Sequence, residues 1–208
     1  EIASCLVGSE MCIRDRNKIV VFDFDGTLSY KDSLTELFLQ EMKGIKFVYR
    51  IYYFALKVLA KFCIISVKTE KEQMIRFLFN SDVNKFKMAC EAQAGSFKFN
   101  PIYSRVQDHL KNGDRVIILS ASFIFFLAKV FEKKNVEIVG TTLNSDGNKL
   151  LGINCHPFHK EKIACILSMG ILSIDEMYYD SKWDECLIPM CKEWHKVNNG
   201  VIMYNGKK

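Results

Sequence analysis

Two aspartates separated by one residue follow a short apolar run near the start of the chain. The run Ile19–Phe22 predicts a buried strand, and it leads directly into Asp23-Phe24-Asp25-Gly26-Thr27-Leu28. Two carboxylates in a partly dry site repel each other, so one pKa rises or a metal ion neutralises the pair. Gly26 permits a sharp turn, so the two acids can approach one reacting centre from two directions. The pairing suits nucleophilic attack by one acid and proton transfer by the other.

Three later segments carry further polar groups at comparable positions. One is Ser120-Ala121-Ser122, directly after an apolar run, and another is Tyr179-Asp180-Ser181-Lys182-Trp183-Asp184, after a later one. The third is Asn154-Cys155-His156-Pro157-Phe158-His159-Lys160-Glu161-Lys162-Ile163, which leads into a predicted helix. In an open parallel sheet, active sites form at the carboxyl ends of the strands, where such residues would meet.

Together these motifs resemble those of the haloacid dehalogenase-like (HAD-like) hydrolases, in particular subfamily IB with its phosphoserine phosphatase-like and phosphatidylglycerophosphatase-like enzymes. The resemblance extends from about Lys18 to the C-terminus. It implies an α/β fold, with a Rossmann-like core built on a parallel sheet and an inserted α-helical cap. It also implies that Asp23 is the nucleophile that forms an aspartyl-phosphate and that Asp25 is the general acid and base. The implied cofactor is Mg²⁺, held by Asp23, Asp25 through its backbone carbonyl, Asp180 and Asp184.

The same resemblance implies groups that contact the phosphoryl group. It assigns substrate binding to four residues: Gly26, Thr27, Ser120 and Ala121. It also implies an active-site lysine that neutralises negative charge. The Glu-Lys-Ile end of the third segment selects Lys162, but that segment is longer than usual and lacks a glycine, so Lys160 stays open. A second departure is Tyr179, which stands where the family usually has glycine.

Each motif also has a purely structural explanation. Asp-Gly pairs are common in turns, Ser120 or Ser122 could cap a helix, and Asp180-Ser181 could cap the next one. Either lysine could be a solvated surface charge. Two functional alternatives stay open. One is a catalytically impaired binding or scaffold protein, which Tyr179 and the altered lysine segment favour. The other is a phosphotransferase whose acceptor is not water.

The bulk composition restricts the class of protein. The 208 residues, of which 49% are hydrophobic and 25% charged, suffice for one core and an insertion. A net charge of +5 favours anionic partners, and the absence of an Arg-rich tract argues against nucleic acid. The eight cysteines show no Cys-x-x-Cys spacing and predict reduced thiols. Residues 1–16 resemble a translated sequencing adapter, so we exclude them from the fold prediction. We assign 17–30 and 100–208 to the catalytic core and 31–99 to the cap.

Periodicity predicts the remaining elements. Helices are expected at 32–42, 46–68, 70–79, 82–94, 101–112, 123–134, 160–169 and 183–190. Strands are expected at 19–22, 115–119, 136–141, 176–179 and 200–204. Their alternation predicts an open parallel sheet with right-handed crossovers.

The helix expected at 46–68 has an unusual surface. Its basic residues are Lys46, Arg50, Lys57, Lys61 and Lys68. At 100° per residue they fall within an arc of roughly 60°, and the rest of the helix surface is apolar and rich in Tyr and Phe. An interfacial helix on anionic lipid fits this pattern, and so does a packed cap helix with one solvated edge. We expect the substrate to be a phospholipid such as phosphatidylglycerophosphate or a phosphorylated small molecule such as phosphoserine. With no recognisable export signal, we expect the protein in the cytoplasm, with peripheral contact to the inner face of the membrane.

Overall fold

The computed structural model describes residues 17–43 and 47–208. The adapter-like residues 1–16 and the predicted basic residue Lys46 lie outside this part of the chain. The strands are β1 (Ile19–Phe22), β2 (Arg115–Phe123), β3 (Glu137–Thr141), β4 (Leu143–Asp146), β5 (Lys149–Ile153), β6 (Ile174–Tyr179), β7 (Cys191–Asn198) and β8 (Val201–Lys207). The helices are α1 (Ser33–Glu41), α2 (Phe47–Lys61), α3 (Val67–Leu78), α4 (Val83–Gly95), α5 (Tyr103–Lys111), α6 (Ile124–Val130) and α7 (Glu161–Ser168), and Glu185–Met190 forms a 3₁₀ helix.

The main sheet has the order β3-β2-β1-β6-β7-β8, and β1 lies near its centre. All neighbouring pairs are parallel except β7 and β8. Val20 and Phe22 pack into one apolar cluster and Val21 into a second, so β1 is covered on both faces. The backbone N–H of Asp23 still donates to Tyr178 O at 2.9 Å, which fixes this acid at the carboxyl edge of the sheet.

Within the described residues, four helices occupy the interval between β1 and α5. Asp32, Ser66 and Asp82 accept hydrogen bonds from the first turns of α1, α3 and α4, the usual role of an N-cap. The predicted helices at 32–42 and 82–94 are thereby confirmed, with ends shifted by a residue. Each of the four helices contributes to the apolar cluster that also contains Phe22, through Phe38, Tyr53, Met74 and Phe86.

The prediction of a single helix at 46–68 is wrong, because a turn separates α2 from α3 within this range. Cys63 adopts a positive φ of 56°, and Ile64 N donates back to Leu59 O at 2.9 Å. This is the helix-ending turn that usually carries glycine. Ser66 then begins α3, so Lys68 belongs to a different helix from Arg50 and Lys61.

The C-terminal third also departs from the prediction of a purely parallel sheet. Residues 200–204 were expected to form one last strand, but β7 and β8 form an antiparallel hairpin around Asn199 and Gly200, both with positive φ. The helix predicted at 183–190 is a 3₁₀ helix that contains Pro189. Residues 147–148 connect β4 and β5, which form a separate antiparallel two-stranded sheet.

Two further features concern the cysteines and the length of the helices. Within the described residues the cysteines are free thiols: Cys63, Cys90, Cys155, Cys165, Cys186 and Cys191. In the same residues, no helix has both the length and the apolar character needed to cross a bilayer.

Candidate active site

The turn after β1 directs two carboxylates to the same side. Phe24 is fully buried, and its ring packs against Phe97 and Phe126. The backbone N–H groups of residues 27–29 all donate to the carbonyl of Phe24, which closes a tight turn. With Phe24 directed into the core, Asp23 and Asp25 lie on the opposite side and line one cavity.

Three acids from two strand ends converge at this edge. Asp23 follows β1, whereas Asp180 and Asp184 follow β6, and one carboxylate oxygen from each lies within 4.8 Å of the others. Ser181 Oγ donates to Asp184 Oδ2 at 3.1 Å and so orients that side chain. The three acids predicted to bind metal through their carboxylates are therefore adjacent.

Lys162 reaches this acid cluster from the first turn of α7. Its side chain is buried, and Nζ donates to Asp23 Oδ1 at 2.8 Å and also forms an ion pair with Asp184. Lys160 is exposed to solvent. Of the two lysines that the sequence left open, Lys162 is the one that contacts the acids.

The carboxylate of Asp25 accepts hydrogen bonds from two serines. Its Oδ1 accepts from the backbone N–H of Ser33 at 2.8 Å, and its Oδ2 accepts from Ser122 Oγ. The hydroxyl of Ser33 in turn lies 2.8 Å from Ser122 Oγ. Ser122 was considered only as a helix cap, and its contact with Asp25 was not foreseen.

The predicted phosphoryl-binding residues divide into two groups. Ser120, Ala121 and Gly26 line the cavity. Thr27 is fully buried behind it, and its hydroxyl donates to Asp23 Oδ2 at 3.4 Å. The serines cap no helix: β2 continues through the segment to Phe123, and α6 begins without a side-chain cap.

Burial and mutual repulsion raise the pKa values of the acids. Burial raises the pKa of Asp23 to about 6, against the opposing effect of Lys162. Burial, followed by the charges of Asp23 and Asp184, raises the pKa of Asp180 to about 7. Burial and the charge of Asp32 raise that of Asp25 to about 7. The site thus holds more negative charge than Lys162 neutralises.

The cavity above these acids has a volume of about 380 Å³ and extends towards the inserted helices. Its lining also includes charged groups of the inserted helices that the sequence did not assign to the site. Lys57 of α2 pairs with the buried Glu70 of α3 at 3.0 Å. Lys71 donates to the carbonyl of Ala121 at 2.7 Å, and burial lowers its pKa. Lys57 was predicted only as part of the basic arc of the helix expected at 46–68. Alternating charge on a helix usually means a solvated face, so Glu70 and Lys71 gave no distinctive sequence signal.

The donor set fits a hard divalent cation. Three carboxylates close enough to share one ion are the ligands that Mg²⁺ prefers. Burial, followed by the charges of neighbouring acids, raises the pKa values of Asp23 and Asp180, and such an ion would favour their ionised forms. Asp25 contributes no carboxylate to this group, and its binding through the backbone carbonyl stays a prediction.

Comparison with known families identifies the class of protein. The model of the haloacid dehalogenase-like hydrolase family matches residues 20–179, most of the chain. The chain therefore belongs to the HAD-like hydrolases. No curated protein matches it in sequence.

Solved structures share the fold at low sequence identity. A protein of unknown function from Bordetella pertussis Tohama I superposes with a TM-score of 0.70 at 18% identity, over 83% of this chain and 86% of that chain. A phosphoserine phosphohydrolase-like protein from Francisella tularensis subsp. tularensis SCHU S4 gives 0.62 at 15%, over 86% of each chain. A phospho-aspartyl intermediate analogue of phosphoserine phosphatase gives 0.58 at 15%, over 87% of each chain.

Proposed function

We propose that this protein is a Mg²⁺-dependent phosphomonoester hydrolase that acts through an aspartyl-phosphate on Asp23. The observation that carries the proposal is the position of Asp23 on the cavity floor. It lies 2.8 Å from Lys162 Nζ and shares a potential metal position with Asp180 and Asp184. Membership in the hydrolase family supports the same conclusion.

The reaction has two halves. In the first, a carboxylate oxygen of Asp23 attacks phosphorus, the bond from phosphorus to the ester oxygen breaks, and the Asp25 carboxyl group protonates the leaving oxygen. In the second, Asp25 takes a proton from water as that water attacks phosphorus, which releases inorganic phosphate and restores Asp23. A pKa near 7 suits Asp25 for both transfers.

The surrounding residues stabilise charge and position the nucleophile. Lys162 and the Ser120 hydroxyl are available to the phosphoryl oxygens, and Thr27 holds the second oxygen of Asp23. Bound at Asp23, Asp180 and Asp184, Mg²⁺ would neutralise the charge of the nucleophile and the phosphoryl group.

A chromogenic aryl phosphate tests this proposal. We expect Mg²⁺-dependent phosphate release that a chelator abolishes, and a decrease of at least about 10³-fold in kcat for Asp23→Asn. Asp175→Asn is the matched control. Asp175 lies at the start of β6, away from the cavity, and pairs with Lys192. Unchanged turnover in Asp23→Asn, in a preparation free of other phosphatases, would exclude Asp23 as the nucleophile.

For the substrate we propose a phosphomonoester with a second polar or charged group near the phosphate. Lys57, Glu70 and Lys71, which line the cavity from the inserted helices, would contact that group. Phosphatidylglycerophosphate-like lipids and phosphoserine both have this chemistry. Comparing kcat/KM across a panel of phospholipid phosphates and soluble phosphometabolites would separate the two sources.

The alternative of an impaired binding protein predicts no turnover in the same assay. Tyr179, its main support, is a buried strand residue in the apolar cluster beneath the site. The contact of Lys162 with Asp23 supports turnover instead. A phosphotransferase would release less phosphate than alcohol product, so measuring both products distinguishes transfer from hydrolysis.

A further inference from the structure

One side of α2 exposes a continuous row of large apolar side chains. Phe47, Ile51, Phe54 and Val58 follow a spacing of three and four residues, which places them within an arc of roughly 60°. Phe62 and Ile64 extend the row beyond the helix end. Phe47 is 76% exposed and Phe62 70%. We refer to these six residues as the α2 apolar face.

The α2 apolar face is not needed to hold α2 in the fold. Tyr53 and Leu56, on a different side of the helix, are buried and belong to the main apolar cluster. The helix therefore packs through one face, and the described residues leave its second apolar face uncovered. A row of exposed aromatic side chains is costly in water and marks an interaction surface.

Positive charge borders the α2 apolar face. Arg50 and Lys61 are exposed and lie beside the row on the helical wheel. The sequence from 42 to 69 contains no Asp or Glu and six basic residues: Lys43, Lys46, Arg50, Lys57, Lys61 and Lys68. The partner of this surface must accept aromatic side chains and balance positive charge.

We propose that the α2 apolar face docks on an anionic lipid membrane. Phe and Ile side chains would enter the boundary between headgroups and acyl chains, while Arg50 and Lys61 contact the headgroups. A second copy of this chain fits less well. A two-fold contact would bring the basic residues of one copy close to those of the other.

The corrected helix boundaries define this surface more narrowly than the sequence did. Lys68 lies on α3, and Lys57 is paired with Glu70 in the catalytic cavity. The lipid contact therefore depends on the α2 apolar face together with Arg50 and Lys61. It does not depend on turnover, so it can succeed or fail independently of the proposed function.

Vesicle flotation with the full chain tests the proposal. Vesicles of phosphatidylcholine containing about one third phosphatidylglycerol should bind the protein at low salt, and pure phosphatidylcholine vesicles should bind it much less. The double variant Phe54→Ser/Phe62→Ser should lose binding. The matched control Met88→Ser/Leu172→Ser removes two exposed apolar side chains elsewhere and should bind as the unmodified protein does.

Charge removal supplies a second, independent measurement. Arg50→Gln/Lys61→Gln should weaken binding to anionic vesicles by about fivefold per residue, the factor that corresponds to ~1 kcal/mol, and should reduce the salt dependence. Circular dichroism confirms that each variant is folded. Equal binding by Phe54→Ser/Phe62→Ser and the unmodified protein would overturn the proposal. So would a dimer that this variant abolishes in a protein that binds no vesicles.

Discussion

At the scale of single residues, Gly26 leaves no room for a side chain beside the acid cluster. Its φ of +80° favours glycine, and an added Cβ would overlap Asp180 Oδ2. We expect Gly26→Ala to displace Asp180 from the acid cluster. The Mg²⁺ concentration for half-maximal activity should rise by about tenfold or more, a range typical of disturbed metal sites. A magnesium titration of turnover measures this.

Gly147 provides the control for backbone strain. It also has a positive φ, of +54°, but an added Cβ there would meet nothing within 4 Å. Backbone strain should cost both Gly26→Ala and Gly147→Ala roughly 1–2 kcal/mol in the free energy of unfolding. Gly147→Ala should not change the magnesium requirement. If both variants shift the magnesium titration equally, close approach to Asp180 is not the cause.

The two lysines of the α7 segment should differ sharply. Lys162→Met removes the cation that contacts Asp23, leaves the acid cluster without its buried positive partner, and should lower kcat by about 10²–10³-fold. Lys160→Met changes an exposed side chain and should leave kcat within about twofold. Steady-state kinetics of the pair decide the assignment, and equal losses in both variants would contradict it.

At the scale of elements, α3 connects the inserted helices to β2 of the main sheet and to β5 of the two-stranded sheet. Lys71 donates to Ala121 O at 2.7 Å, Glu72 accepts from Ile153 N at 2.8 Å, and Arg76 donates to Leu151 O at 2.7 Å. All three side chains bond to the core backbone. The helix therefore fixes the position of Lys71 in the cavity and contacts Ala121 in the proposed phosphoryl-binding segment.

Lys71→Met tests this connection. The variant loses a hydrogen bond that positions Ala121 and a positive charge in the cavity, so kcat/KM should fall by about 10–100-fold. Lys68→Met, on the same helix but outside the cavity lining, should cost less than about threefold. A larger loss in Lys68→Met than in Lys71→Met would contradict a specific role for Lys71.

The limits of sequence reasoning follow from particular elements. Apolar runs predicted β1 and the first part of β2 because buried parallel strands are continuously hydrophobic. The break after α2 was missed because Cys63, not glycine, takes the positive φ. β7 was missed because its sequence, Cys-Lys-Glu-Trp-His-Lys-Val-Asn, lacks an apolar pattern. Ser122 and Lys71 enter the site only through contacts between distant segments, which no local pattern records.

At the scale of the whole molecule, a buried ionic network joins α5, β6 and β7 away from the cavity. Glu176 Oε1 accepts from Tyr178 at 2.6 Å, lies 3.0 Å from His195 Nε2 and forms an ion pair with His109. Asp114 lies 2.7 Å from the other ring nitrogen of His109. Burial opposes charge here, but the hydrogen bonds outweigh it. The pKa values of both histidines are raised and that of Glu176 is well below its usual range.

This network should make the stability of the protein depend on pH. Raised histidine pKa values stabilise the fold fully below about pH 6.5 and progressively less as pH rises through the folded-state pKa. The contribution of Glu176 is present above about pH 4.5 and is lost on acidification. As pH rises from 6 to 9, the thermal unfolding midpoint should therefore decrease, by about 2–4 °C for each kcal/mol of stability lost. Glu176→Gln should flatten this fall, whereas Glu137→Gln, which breaks the exposed pair with Arg115, should leave the slope unchanged. Calorimetry across this range decides, and parallel profiles for the unmodified protein and Glu176→Gln would assign the pH dependence to other groups.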